Sequence, residues 1–234
     1  MYNQASIYKG ESIYNTGAGG GGGGIQPIPE GYKELLYIRP NVDENSIIGN
    51  TEAYCDLGPG NNTDVWEINF VDITKVLLWL QNNSNTQIHN FFSLSNGKTR
   101  DLSCRKNGNN LEFFFDAAGY YSGSASIINP DIYKVKIDKT KAVFGTSSVN
   151  NGGGAISAGN ASYTYPFGNG TDIMPVKIGN IKIWDQTETN LLHDWRPVEK
   201  LDGGDNRYGF LDVLNNVFKA SLRAGRYFVP GPEV

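Results

Sequence analysis

The tract Gly17–Gly24, which reads GAGGGGGG, limits what this chain can become more than any other stretch. Glycine loses the most backbone entropy on ordering and has no side chain to bury, so no packed element can be built from it. As a coil, the tract spans on the order of 15 Å and lets its two ends reorient independently. It divides the chain into a short peptide, residues 1–16, a linker, residues 17–24, and a body, residues 25–234.

The body is long enough to bury one sizeable core, and all-β sandwiches of this size form single domains. With 29 glycines, 13 tyrosines and only 2 methionines, the chain is poor in helix formers and rich in strand and turn formers. The expected fold class is all-β. A net charge of −4 gives no electrostatic footprint for nucleic acid or for an anionic membrane surface, so neither is an expected partner. Apolar runs such as Val76–Leu80 are far too short to span a bilayer, and no basic-then-apolar export signal opens the chain. Cys55 and Cys104 have neither metal-ligand spacing nor a C-x-x-C motif, so no zinc or redox motif is supported, and the absence of an export signal favours two free thiols over a disulfide.

In the N-terminal peptide SIYKGE is followed directly by SIYNTG, a repeat with a period of six. In an extended strand this even spacing puts Ile7 and Ile13 on one face and Tyr8 and Tyr14 on the other. Sixteen residues cannot bury both faces alone. The pattern points to an anchor that docks by strand addition or by filling a groove, against the alternative of a frayed tail.

Within the body, Ile28–Ile38 reads as an opening strand with apolar residues on both faces. Further short β-forming runs are Glu52–Leu57, Val65–Val71, Val76–Leu80, His89–Leu94, Leu111–Phe115, Tyr133–Ile137, Ala142–Phe144 and Ile178–Trp184, separated by Gly-, Asn- and Pro-rich turns. Alternation is clearest where Tyr133, Val135 and Ile137 oppose Lys134 and Lys136. Many short strands without a long amphipathic helix predict two antiparallel sheets packed face to face.

The interval Gly145–Asn169 breaks this rhythm, and long loops in compact domains are often functional. Tyr163, Tyr165 and Phe167 share a face if the chain is extended, which makes them candidate platforms for sugar rings. The competing reading places the same rings in the core. Tyr120 and Tyr121, set among glycine and serine, form a second candidate patch with the same alternative.

Several stretches resemble a known family. The opening PEGYKELLYI (Pro29–Ile38), then IGNIKIWD (Ile178–Asp185), LLHDWRP (Leu191–Pro197), YGFLDVLNNVF (Tyr208–Phe218) and the ending GPEV are similar to concanavalin A-like (laminin G-like) jelly-roll domains of bacteriophage and prophage proteins. Trp195-Arg196-Pro197 and the Asp202–Asn206 insertion depart from that pattern. The resemblance implies a jelly-roll sandwich, preceded here by the extended peptide, in an exposed fibre or decoration subunit of a phage head or tail. Its peptide would dock to capsid or tail proteins, and its lectin-like body would bind host-surface glycan. Such subunits are usually symmetric homo-oligomers, often trimers. The expected location is the virion surface, after synthesis in the bacterial cytoplasm.

Enzymatic readings find little in the residues. Laminarinase-type jelly rolls carry E-x-D-x-E on one strand, and retaining chemistry needs two carboxylates about 5–5.5 Å apart. The nearest spacings, Glu52 with Asp56 and Glu112 with Asp116, have Tyr54 and Phe114 at the middle position. His89 and His193 lie in no triad or metal motif, so hydrogen-bonded or solvated histidines are expected. The resemblance to laminin G-like domains, some of which bind calcium, makes Asp56, Asp64 and Asp72 the residues that would help hold such an ion, but they form no recognisable ligand loop. Neither a cofactor nor a metal is expected. The main expectation is thus a non-enzymatic glycan-binding virion protein; the alternatives are a ligand-free structural decoration protein and a polysaccharide hydrolase.

Overall fold

The computed structural model describes residues 26–41, 52–61, 63–71, 89–97, 100–107, 110–115, 123–124, 132–137, 141–144, 147–150, 159–168 and 176–234. The anchor residues Ile7, Tyr8, Ile13 and Tyr14, the glycine tract, Val76–Leu80, Asp72, Asp116, Tyr120 and Tyr121 lie outside the described residues.

The fold is all-β, and every strand pair among the described residues is antiparallel. The strands are β1 (Tyr32–Glu34), β2 (Ile38–Pro40), β3 (Gly60–Asn61), β4 (Val65–Val71), β5 (His89–Gly97), β6 (Arg100–Asn107), β7 (Asn110–Phe115), β8 (Gly123–Ser124) and β9 (Ile132–Ile137). They continue with β10 (Lys141–Phe144), β11 (Ser147–Asn150), β12 (Asn160–Pro166), β13 (Lys177–Trp184), β14 (Leu191–Lys200), β15 (Tyr208–Asp212), β16 (Val217–Ala220) and β17 (Phe228–Pro230). One sheet runs β11-β10-β9-β4-β13-β14-β15-β16, with β1 beside β14 and β2 between β13 and β17; the other runs β3-β12-β5-β6-β7-β8.

Strand β4 shows why its sequence forms a central strand. Trp66, Ile68 and Phe70 are buried on one face, while Glu67 and Asn69 lie half-buried on the other. The neighbouring register sets Ile137, Val135 and Tyr133 of β9 opposite Trp66, Ile68 and Phe70, in agreement with the alternation read from β9. On the other side Ile183, Ile181 and Ile178 of β13 meet the same three residues. Ile178 and Ile181 are three apart, yet both are fully buried, because the register shifts between them. That bulge resets the inward phase of β13. Trp66 then meets Phe92 of the second sheet, with ring centroids 4.7 Å apart.

Several segments differ from expectation: Glu52–Leu57 forms no strand among the described pairings, and the interval Gly145–Asn169 contains β11 and β12. Ile28–Ile38 is not one strand: β1 pairs with β14, the chain bends at Leu36, and β2 pairs with β13 and β17. Leu191–Lys200, by contrast, is a ten-residue strand that contains Pro197. Proline removes a ladder donor, which usually excludes it from an inner strand. Here β14 is flanked by β13 up to Trp195 and by β1 from Val198 onward, so Pro197 sits where the neighbour changes. Its carbonyl still accepts from the Leu35 amide at 2.9 Å on that side.

The C-terminal residues close the fold against its beginning. Phe228–Pro230 pairs with Ile38–Pro40, the Gly231 amide donates to the Tyr37 carbonyl at 2.8 Å, and the Leu36 amide donates to the Pro232 carbonyl at 2.8 Å. A Cβ at position 231 would stand 2.7 Å from the Tyr37 ring, so only glycine fits this approach.

Candidate functional site

The aromatic residues singled out near the end of the long interval are placed by β12. Its register against β5 sets Tyr163 opposite Ser95 and Tyr165 opposite Ser93. Side chains two apart on a strand share a face, and the Tyr163 and Tyr165 rings stack at 5.8 Å with planes 21° apart. Tyr163 is 39% exposed, whereas Tyr165 is half-buried behind it.

Phe167 does not join them. Strand β12 ends at Pro166, and Phe167 turns back with a φ of 74°, in the left-handed region. Its ring is fully buried, 5.9 Å from Phe210 and 5.4 Å from Phe228. The expectation that Phe167 shares the exposed face is corrected: the face rule holds only while the chain stays extended. Of the three rings, one is exposed, one supports it, and one belongs to the core.

The place that Phe167 was expected to take is filled from elsewhere. Residues 53–57 form no strand among the described pairings, yet they alternate: Ala53, Cys55 and Leu57 are buried while Tyr54 and Asp56 turn outward. The segment is fastened on both sides, by the Leu57 amide donating to the Thr164 carbonyl and the Leu222 amide donating to the Tyr54 carbonyl, each at 2.8 Å. The Tyr54 ring thereby lies 6.2 Å from Tyr165, tilted by 58°. The Arg223 guanidinium covers Tyr54 at 5.1 Å. Rings 163, 165 and 54 make a ladder that Arg223 closes at one end; among the described residues no further ring stacks on Tyr163 at the other.

Asp56 stands beside this ladder. Its Oδ1 accepts the Gly58 amide at 2.8 Å and the Thr164 amide at 3.0 Å, which locks the carboxylate in place. Burial raises the Tyr165 hydroxyl above its ordinary pKa, and the negative charge of Asp56, then Tyr163 and Tyr54, push the same way. Behind the ladder, burial, reinforced by the Asp56 charge, drives the Cys55 thiol far above the ordinary thiol range. Cys55 is a buried free thiol with no nucleophilic character at neutral pH.

Of the carboxylates weighed as catalytic pairs, Glu52 and Asp56 are separately engaged, while Asp116 and the side chain of Glu112 lie outside the described residues. Asp56 holds backbone amides, and Glu52 lies 4.0 Å from Arg226. Among the described residues, no group of three or more His, Cys, Asp or Glu side chains could hold a metal ion. His193 is hydrogen-bonded, as expected: Nδ1 is 2.7 Å from Asp212 Oδ2, and the ring stacks on Trp195 at 5.7 Å. Asp212 also accepts from Asn215 and from the amides of Asp194 and Leu214, so it organises the turn between β15 and β16.

Tyr54 and Arg223 were not legible as site residues. Tyr54 appeared only as the wrong middle position of a carboxylate triad, although the alternation from Ala53 to Leu57 shows that it turns outward. Arg223 is 169 positions further along the chain, and no local pattern connects the two. Comparison with protein-family models, with curated proteins and with solved structures yields no match.

Proposed function

We propose that this chain is a non-enzymatic bacteriophage virion protein, a head or tail fibre or decoration subunit, whose body binds host-surface glycan. The observation that carries the reading is the half-open ring of Tyr163, held upright by Tyr165. A flat aromatic surface at low entropic cost is what stacking against a sugar ring requires. The contacts of Trp66 with Phe92, and of Phe167 with Phe210 and Phe228, support the two sheets as the layers of a jelly-roll sandwich. The peptide with Ile7, Tyr8, Ile13 and Tyr14 docks to other virion proteins, and the glycine linker lets several copies, a trimer being the simplest, engage a surface at once.

The test is binding of the multimerised full chain to bacterial cells and to their purified surface polysaccharides. Saturable binding without release of reducing ends, weakened by Tyr163→Ala at an unchanged melting temperature, supports the reading. Absence of binding by the folded multimer assigns the chain to structural decoration, and release of reducing ends assigns it to hydrolysis. Docking is tested separately: Ile7→Asp with Ile13→Asp should abolish incorporation into particles, and normal incorporation refutes the anchor.

A further inference from the structure

Of the eight large apolar side chains that stay exposed among the described residues, three stand together at one corner of the larger sheet. Leu192 and Leu214 are each 38% exposed and Val217 is 39% exposed. Hydrogen bonds from the turn between β15 and β16, residues 213–216, bring them to one place. Asn216 turns the chain at a φ of 52°, a left-handed conformation that asparagine tolerates. Asn215 reaches back to the Leu192 carbonyl at 3.0 Å, the Leu214 amide donates to Asp212 Oδ1 at 3.2 Å, and Val217 stands opposite Asp212 in the strand register. The partly exposed His193 ring, bonded to the same Asp212, lies beside this turn. With its backbone and polar groups fixed in this way, the corner loses little entropy when another surface packs on it.

The charges around the corner are committed. Asp212 accepts from His193, Asn215 and the amides of Asp194 and Leu214. Asp194 pairs with Arg196 at 2.9 Å. The turn between β13 and β14, residues 185–190, lies at the same end of the sheet; there Asp185 accepts from Thr187, Thr189 and Asn190, and Glu188 pairs with Lys136. Lys219, two positions past Val217 on β16, has no ion pair among the described residues and stands at the rim. The chain outside the described body leaves from elsewhere. Tyr32 stands opposite Lys200, at the other end of β14 from Leu192. Eight steps of strand separate the two ends by about 26 Å. Residues 1–25 therefore depart from the end of the sheet that is remote from the corner.

We propose that the corner formed by Leu192, Leu214, Val217 and His193 is a contact between copies of this chain. It builds on the multi-copy part of the reading above and not on glycan binding. Copies that each carry a net charge of −4 repel one another, so they meet where charge is absent or compensated. The three aliphatic side chains supply the apolar centre of such a contact, and the two hydrogen-bonded turns supply its polar rim. Contact at this end leaves every N-terminal peptide free at the other, which docking by several peptides at once requires.

The experiment is sedimentation equilibrium of the full chain over a range of concentrations. The wild type should associate reversibly, and Leu192→Lys with Val217→Lys should raise the dissociation constant by about thirtyfold or more, the size of a hot-spot loss. Melting temperatures are compared at a dilution where the wild type is monomeric, because association itself raises them. If the double variant melts earlier there, Leu214→Ser is read in its place. Leu201→Lys is the control: that side chain is 56% exposed at the tether end, where its amide donates to the Gly31 carbonyl, and the change should leave association as it was. A wild type that is monomeric at every concentration overturns the contact, as does unchanged association of the folded corner variant. Dissociation by Leu201→Lys, or by Ile7→Asp with Ile13→Asp, places the contact at the tether end or in the peptide and overturns it equally. Glycan binding is read separately on the artificially multimerised chain, so either reading can fail while the other stands.

Discussion

Replacing Phe167 by alanine separates the core position seen here from the surface position that an extended chain would have given it. The ring is 0% exposed and meets two aromatic partners, Phe210 and Phe228. Burying a phenylalanine contributes about 2–3 kcal/mol, and each aromatic pair adds about 0.5–1.5 kcal/mol beyond its area. The expected loss is therefore about 4 kcal/mol, inside the range for large-to-small core changes. The backbone adds a second test. At a φ of 74° a side chain is strained by about 1–2 kcal/mol and glycine is not. Phe167→Gly should therefore be no less stable than Phe167→Ala, although glycine costs about 0.5–1 kcal/mol more than alanine in an ordinary strand. Urea unfolding of the full chain, followed by tryptophan fluorescence, reads both differences from the midpoint at constant slope. A loss under about 1 kcal/mol for Phe167→Ala, the size seen for surface changes, would refute the core placement. A clearly worse Phe167→Gly would refute the left-handed turn.

Two further substitutions probe the sheet that carries Asp212 and Gly209. Desolvation raises the Asp212 carboxyl, but hydrogen bonds from His193, Asn215 and the Asp194 amide outweigh it and hold the group below the ordinary carboxylate range. A depressed group adds stability that is present above its unfolded pKa, about 4, and is lost as pH falls through the folded value. The wild type should thus lose more stability below pH 4 than Asp212→Asn does, and parallel pH profiles from thermal unfolding count against the bonding shown here. In Gly209→Ala the new Cβ would overlap the Lys219 carbonyl oxygen of β16. The two strands must then separate, at a cost of about 1–3 kcal/mol, and an unchanged melting temperature would argue against this close pairing.

Strands that carry a local signal in the sequence are legible in advance. Val65–Val71 was bounded correctly, and the expected runs ending at Phe115, Ile137, Phe144 and Trp184 fall short of the observed strands by a single residue at their starts. Each carries its signal locally, as alternation or as β-branched and aromatic density. Leu191–Lys200 failed because its signal is not local. Pro197 forbids an inner strand unless the neighbour changes at that residue, and the change depends on residues 34–35, more than 160 positions away. The break between β1 and β2 has the same origin, since the chain must leave β14 to reach β13.

The candidate site divides along the same line. Tyr163 and Tyr165 follow from strand periodicity, because nothing but their own backbone sets their common face. Phe167 obeys periodicity in the sequence and not in the structure, because the strand ends between Pro166 and Gly168 and Phe167 takes a positive φ that its residue type does not announce. The row is then completed by Tyr54, whose segment is pinned between β12 and the turn after β16 by one amide on each side. A ring 109 positions from Tyr163 thus takes the place next to Tyr165 that a neighbour two positions away appeared to own. Local pattern can propose the outward face of a strand; which rings stand together on it is decided by long-range pairing, and with it whether a carboxylate such as Asp56 is brought beside them.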